Sequence, residues 1–190
     1  AAEYYQHHLL PPNIEDPEIE QTYSAYGISR LNNGEIYYLL AGKFSVLLEA
    51  LKIDRLLALR SFNILLFGLI FVYTVRSLEA RMVALPFLLS PQVWYIFSYC
   101  VSDALGLFLC FIVGCELVRE NSFFNRLIDT DRFRPIGSMI VFSLLLALLF
   151  LLKINYYPFI ILIYSAILWH WFRTPSGRTV IVVRILVCTL

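Results

Sequence analysis

Charge is scarce in this chain. Asp, Glu, Lys and Arg make up 15% of its 190 residues, against about 25% in an average soluble domain. Apolar residues fill the gap: 59% are hydrophobic and the mean hydropathy is +0.72. They fall in long blocks, which excludes an ordinary soluble domain, a disordered chain and a collagen-like one, and points to a membrane. The net charge of +1 leaves no basic excess for nucleic acid. Cysteine is limited to Cys100, Cys110, Cys115 and Cys188. All four lie in apolar stretches without a C-x-x-C pair, as small core residues do. P-loop, G-x-S-x-G and H-E-x-x-H motifs are absent, as are N-x-[ST] acceptor sites, repeats and low-complexity tracts. The start lacks the basic and apolar regions of a signal peptide. Beginning at Ala1 and ending inside an apolar run that opens near Thr179, the sequence reads as a piece of a longer polytopic protein.

What charge there is falls unevenly. Residues 1–57 hold eight acids and four bases, while 58–190 hold six acids and eleven bases. A mildly acidic head thus precedes a basic, apolar body, with the boundary at 57/58. In the head, residues 9–20 contain three prolines and four acids and read as a loop. Asn33-Gly34 is a turn signal. After it, Ile36, Leu40, Phe44, Leu47, Leu48 and Leu51 follow helical spacing, with Gly42, Ser45, Glu49 and Lys52 on the opposite face. This predicts an amphipathic helix over about 34–52, lying on a membrane surface or packed on its own protein.

The body predicts an all-α, polytopic transmembrane bundle. A span takes about 20 residues. Spans are expected at about 56–75, 82–98, 103–118, 136–152 and 154–172, with a truncated one at 179–190. Pro86 and Pro91 should bend the second span, and Tyr99–Asp103 should form the tip of a hairpin. The alternate loops then sort by charge. Loops 76–81, 119–135 and 173–178 carry eight arginines; the other set carries only Lys153. The positive-inside rule puts the arginine-rich loops in the cytoplasm and the head, Asp103 and Lys153 on the outer or luminal face.

Ionisable groups at membrane edges are costly and are functional candidates by default. Asp103 has 21 uncharged residues before it and 12 after. It reads as an N-cap for a helix starting at Ala104, as a group in binding or chemistry, or as both. Lys153 closes the run LLLALLFLLK; it reads as a snorkelling helix end or as a fixed charge for a lipid phosphate. Asn155, Tyr156 and Tyr157 can add hydrogen bonds or a stacking face there, or act as interface anchors. Glu3, His7 and His8 form a set suited to proton transfer or to a divalent metal, or a free tail. Asp129-Thr130-Asp131 resembles the D-x-D of soluble glycosyltransferase domains, but among Arg126, Arg132 and Arg134 it reads as a solvated loop. His170, between two tryptophans, reads as an interface anchor.

The order of these features resembles the GT-C class of integral membrane glycosyltransferases, which includes protein O-mannosyltransferases and lipid A aminoarabinose transferases. The likeness runs from Glu3 to about Ile161: an acid and a histidine opening an outer loop, a surface helix, the span LALRSFNILLFGLIFVYTV, the hairpin ALPFLLSPQVWYIFSYCVSDALGLFL, and LLLALLFLLKINYYPFIIL. The resemblance implies a sugar donor on a polyprenyl phosphate. It implies Glu3 as the acidic position of the first outer loop, where the residue before it is Ala2 rather than a second acid. It further implies Asp103 as the acid of the hairpin tip and Lys153 as a holder of the lipid phosphate; His7, Asn155 and Tyr156, from their residue types, are expected beside these as substrate contacts. Whether a divalent metal takes part stays open. The non-enzymatic alternative is a membrane scaffold or accessory subunit that binds lipids or the helices of other membrane subunits. A transporter predicts broken helices and charges near the midplane; here the charges gather at span ends, and only Pro86 and Pro91 favour it.

Overall fold

The computed structural model describes residues 1–10, 36–49, 51–120, 122–128, 136–173 and 178–189, and every regular element among them is helical. Most of the expected 9–20 loop, the Asn33-Gly34 turn and Asp129-Thr130-Asp131 lie outside the described residues. The helices are α1 (Tyr4–His7), α2 (Ile36–Glu49), α3 (Arg55–Arg76), α4 (Leu78–Leu89), α5 (Pro91–Ser98), α6 (Asp103–Val118), α7 (Phe123–Ile128), α8 (Ile136–Phe150), α9 (Tyr157–Arg173) and α10 (Arg178–Thr189), with a 3-10 turn at Ile154–Tyr156 before α9. Packing divides the chain into two compact units: Ala1–Leu69 with Pro91–Leu105, and Ile70–Ser90 with Gly106–Leu190. The head-and-body boundary at 57/58 is a division by charge, and α3 runs through it unbroken.

Helix α3 is the one described helix long and apolar enough to cross a membrane, with 22 residues and a mean hydropathy of 2.0. At 1.5 Å per residue it extends about 33 Å, a little more than a hydrocarbon core. Asp54 starts it by accepting the backbone N–H groups of Leu56 (3.1 Å) and Leu57 (3.4 Å). Ile136–Phe150 and Thr179–Thr189 are shorter apolar helices.

The expected span at 82–98 is two helices. Pro91 has no N–H and pushes the residue before it out of the helical region; Ser90 is extended at ψ 116°, and the helix stops. Pro86, by contrast, is accommodated inside α4. Helix α4 also begins earlier than expected, at Leu78. Ser77 caps it by accepting the Ala80 N–H (3.4 Å) and donating to Glu79 Oε2 (2.9 Å). Hydrogen bonds from the Glu79 backbone and from Ser77 hold that carboxyl below the usual range.

In the first unit, α1 packs on α2. The buried side of α2 is Tyr37, Tyr38, Ala41, Gly42 and Ser45. Leu47 and Leu51 of the leucine stripe stay 71% and 67% exposed. The rest of the stripe is half-buried, with Phe44 against Phe62 of α3, so α2 packs on the protein and leaves its C-terminal leucines exposed. Gly42 permits the close approach of α1: a Cβ there would meet the Ala2 carbonyl oxygen at 2.5 Å and the Tyr5 carbonyl carbon at 3.0 Å. Both are backbone atoms and cannot swing aside. Gly42→Ala should cost about 1–3 kcal/mol by overpacking and release α1. Hydrogen exchange of residues 1–8 in the full-length protein checks this: faster exchange is expected there than in the wild type.

In the second unit, α8 packs against α7, α9 and α10. Helix α7 lies in the expected 119–135 loop yet buries Phe124, Leu127 and Ile128, which share one face. Its last turn is held by the Arg184 guanidinium of α10, which donates to the Leu127 carbonyl at 2.9 Å and is itself buried.

Candidate functional site

The first unit gathers Glu3, His7 and Asp103. Glu3 immediately precedes α1, and its Oε1 lies 3.3 Å from Arg55 Nε at the start of α3. The short helix under it is tied down at several points. Gln6 Nε2 donates to Ser45 Oγ (2.8 Å), Ser45 Oγ donates to the Gly42 carbonyl (2.7 Å), and Lys43 Nζ donates to the Gln6 carbonyl (3.0 Å). Tyr5 is buried. Glu3 is therefore a half-exposed carboxylate beside a guanidinium, at the start of a helix packed on α2. His7 is exposed in the last turn of α1, and His8 stacks on Tyr4 with ring centroids 4.2 Å apart.

Asp103 opens α6, half-buried, directly after the turn Tyr99–Ser102. That turn is the expected hairpin tip, now between α5 and α6. The helix starts at Asp103 itself, one residue before the expected position, so Ser102 is the residue preceding it. The turn lies against α3 at two points. The Arg60 guanidinium sits over the Tyr99 ring at 5.2 Å. Asn63, fully buried, donates its Nδ2 to the carbonyls of Tyr99 and Val101, the latter at 3.4 Å. Its Oδ1 accepts the Tyr37 hydroxyl at 2.9 Å, and the same hydroxyl lies 3.4 Å from Cys100 Sγ. Burial pushes the Tyr37 phenol far above its ordinary range, so it stays a neutral donor. Asn63 follows Arg55 by eight residues, a rise of about 12 Å along α3. Glu3 is thus anchored at the end of the helix, and the turn that carries Asp103 is anchored about two turns further in.

Lys153, Asn155 and Tyr156 belong to the second unit. Lys153 precedes the 3-10 turn and is half-buried, and Asn155 is exposed. The Tyr156 ring covers Gly106 so closely that any Cβ there would overlap it. Tyr156 is therefore a packing residue in this unit. Among the described residues no group of three or more His, Cys, Asp or Glu side chains gathers as a metal-ligand set.

The second unit has its own buried carboxylate. Glu116 accepts the Tyr73 hydroxyl (3.0 Å) through one oxygen and the Phe123 N–H (2.6 Å) through the other. Arg119 Nη1 donates to the same Tyr73 oxygen at 3.5 Å, and that bond raises the Arg119 pKa. The adjoining cleft, lined by Val113, Phe124, Phe142 and Ile163 among others, holds about 30 Å³. With its two oxygens taken by the Tyr73 hydroxyl and the Phe123 N–H, Glu116 acts as a cap for α7.

Sequence reading missed Arg55, Asn63 and Tyr37. Arg55 served only as the mark of a span boundary. Asn63 had a visible signal, a lone amide inside SFNILLFGLIFVYTV, where a polar side chain must find a partner. Comparison of the chain with protein-family models, curated proteins and solved structures finds no match.

Proposed function

We propose that the chain is part of a multi-pass membrane glycosyltransferase of the GT-C type, transferring a sugar from a polyprenyl-phosphate donor to an acceptor at the outer or luminal face. The observation that carries this reading is that Glu3 and the turn preceding Asp103 are both bonded to α3. Glu3 pairs with Arg55 at the start of a helix of membrane-spanning length, and the Asp103 turn is bonded to that helix about 12 Å further along. A carboxylate beneath a membrane surface is expensive and is a functional candidate for that reason. Helix α3, the shorter apolar helices Ile136–Phe150 and Thr179–Thr189, and arginine gathered in alternate loops of the sequence support the multi-pass reading.

The chemistry follows from the residue types. One carboxylate takes the proton from the acceptor hydroxyl as it attacks the sugar. Guanidinium and ammonium groups stabilise the charge that develops on the departing lipid phosphate. Arg55 and Arg60 line the same stretch of α3 as the two acids, and Lys153 remains the candidate in the second unit. The polyprenyl tail stays in the bilayer, so the donor meets the site from the membrane side.

The test is transfer of a radiolabelled sugar from polyprenyl phosphate by the full-length protein in proteoliposomes. Loss of transfer in the Glu3→Gln, Asp103→Asn double variant is expected; undiminished transfer overturns the reading. The accessory-subunit alternative needs neither carboxylate and predicts no transfer by the wild type.

A further inference from the structure

The turn that carries Asp103 lacks the usual serine cap. A serine before the first helical residue ordinarily accepts a backbone N–H of the first turn. Ser102 holds that place, is 1% exposed, and its Oγ has no hydrogen-bond partner among the described residues. Within the turn the backbone supplies the Val101 N–H to the Tyr99 carbonyl (3.0 Å) and the Ala104 N–H to the Val101 carbonyl (3.2 Å). Further support comes from Asn63, more than thirty residues earlier in the chain. Its amide donates to the carbonyls of Tyr99 and Val101, on both sides of Cys100. The orientation of that amide is set in turn. With Oδ1 accepting from Tyr37, Nδ2 must face the turn.

We infer that Asn63 is a positioning residue: oriented by Tyr37, it clamps the Tyr99–Ser102 turn and so sets the place of Asp103. For the reaction this rests on the transferase reading, but the clamp itself has a readout that does not. Cys100 sits inside the clamped turn, half-buried, while Cys110 and Cys115 are buried in α6. A released turn exposes Cys100 alone. General unfolding exposes all three.

The experiment measures two quantities in the full-length protein in proteoliposomes. One is the rate of N-ethylmaleimide alkylation at each cysteine, by peptide mass spectrometry. The other is kcat and donor KM for transfer. In Asn63→Leu, loss of both turn bonds should speed alkylation of Cys100 about tenfold and lower kcat by a similar factor, with KM within about twofold. Tyr37→Phe keeps the donors but frees the amide to turn, and should move both quantities the same way by about threefold. The double variant should go no further than Asn63→Leu, because both changes break one network. Unchanged Cys100 reactivity in both variants overturns the inference. So does a joint rise at Cys100, Cys110 and Cys115 in both, or an additive double variant. A wild type without transfer removes the transferase reading alone, and the alkylation rates still decide the clamp.

Discussion

The Glu3→Gln, Asp103→Asn double variant should transfer sugar at least about a hundredfold more slowly than the wild type, in keeping with loss of a general base. Its stability should change little, and the magnitudes separate the two effects. The Glu3–Arg55 pair is roughly half exposed on both sides, and such pairs contribute about 0–1 kcal/mol. The amide in the Glu3→Gln variant keeps an oxygen for the guanidinium. Asp103 lies in the first turn of α6, where a negative charge stabilises the helix dipole by about 0.3–1 kcal/mol. Together these are too small to unfold a domain, so a hundredfold loss of transfer, equivalent to about 2.7 kcal/mol, belongs to chemistry. Thermal unfolding measured beside transfer checks the division. A loss of activity that tracks a loss of fold would remove the catalytic assignment.

Glu116→Leu should destabilise the second unit by about 2–4 kcal/mol, because a buried donor left without an acceptor costs about 1–3 kcal/mol. Two donors depend on this carboxylate, the Tyr73 hydroxyl and the Phe123 N–H. The second is the first N–H of α7, one of the groups that the helix itself cannot satisfy. Glu116→Gln retains a carbonyl acceptor and should cost about half as much. Thermal unfolding of the two variants in detergent checks the order. Equal stability of Glu116→Leu and the wild type would show that α7 does not depend on this cap.

Legibility of the fold followed the length of the apolar signal. Helix α3 stood out because a long apolar run, with Arg60 as its one charge, lies between Arg55 and Arg76. The start of α6 was visible because Asp103 is an isolated charge after a long neutral stretch. The break at Ser90 was foreseen only as a bend, since a proline excludes the helical region for its neighbour but does not say whether the chain resumes in line. Helix α7 was hidden inside an arginine-bearing loop: three apolar residues at helical spacing were outweighed by the charges around them. On α2 the apolar stripe left open whether it faces a membrane surface or the protein. The buried side includes Gly42 and Ser45, because close backbone approach by α1 requires small residues.

The candidate site was legible in its charges and not in its supports. Glu3 and Asp103 could be singled out because acids are few and lie near apolar runs. That Glu3 is held by Arg55, and the Asp103 turn by Asn63, depends on contacts 52 and 36–38 residues apart in the chain. No local pattern encodes such partners. The packing of the Tyr156 ring on Gly106, 50 residues apart in the chain, was likewise not encoded locally.

The central proposal is that the chain crosses the membrane several times with the Arg55 end of α3 on the outer face. Single cysteines at Leu9, Ile154 and Glu79, in a full-length background without other thiols, test it by labelling with a membrane-impermeant maleimide in intact cells. Leu9 and Ile154 are 71% and 72% exposed, and Glu79 is exposed in the first turn of α4. Labelling at 9 and 154 from outside, and at 79 only after permeabilisation, is the expected result. Labelling of 79 from outside, or of 9 and 154 from opposite sides, would contradict the account.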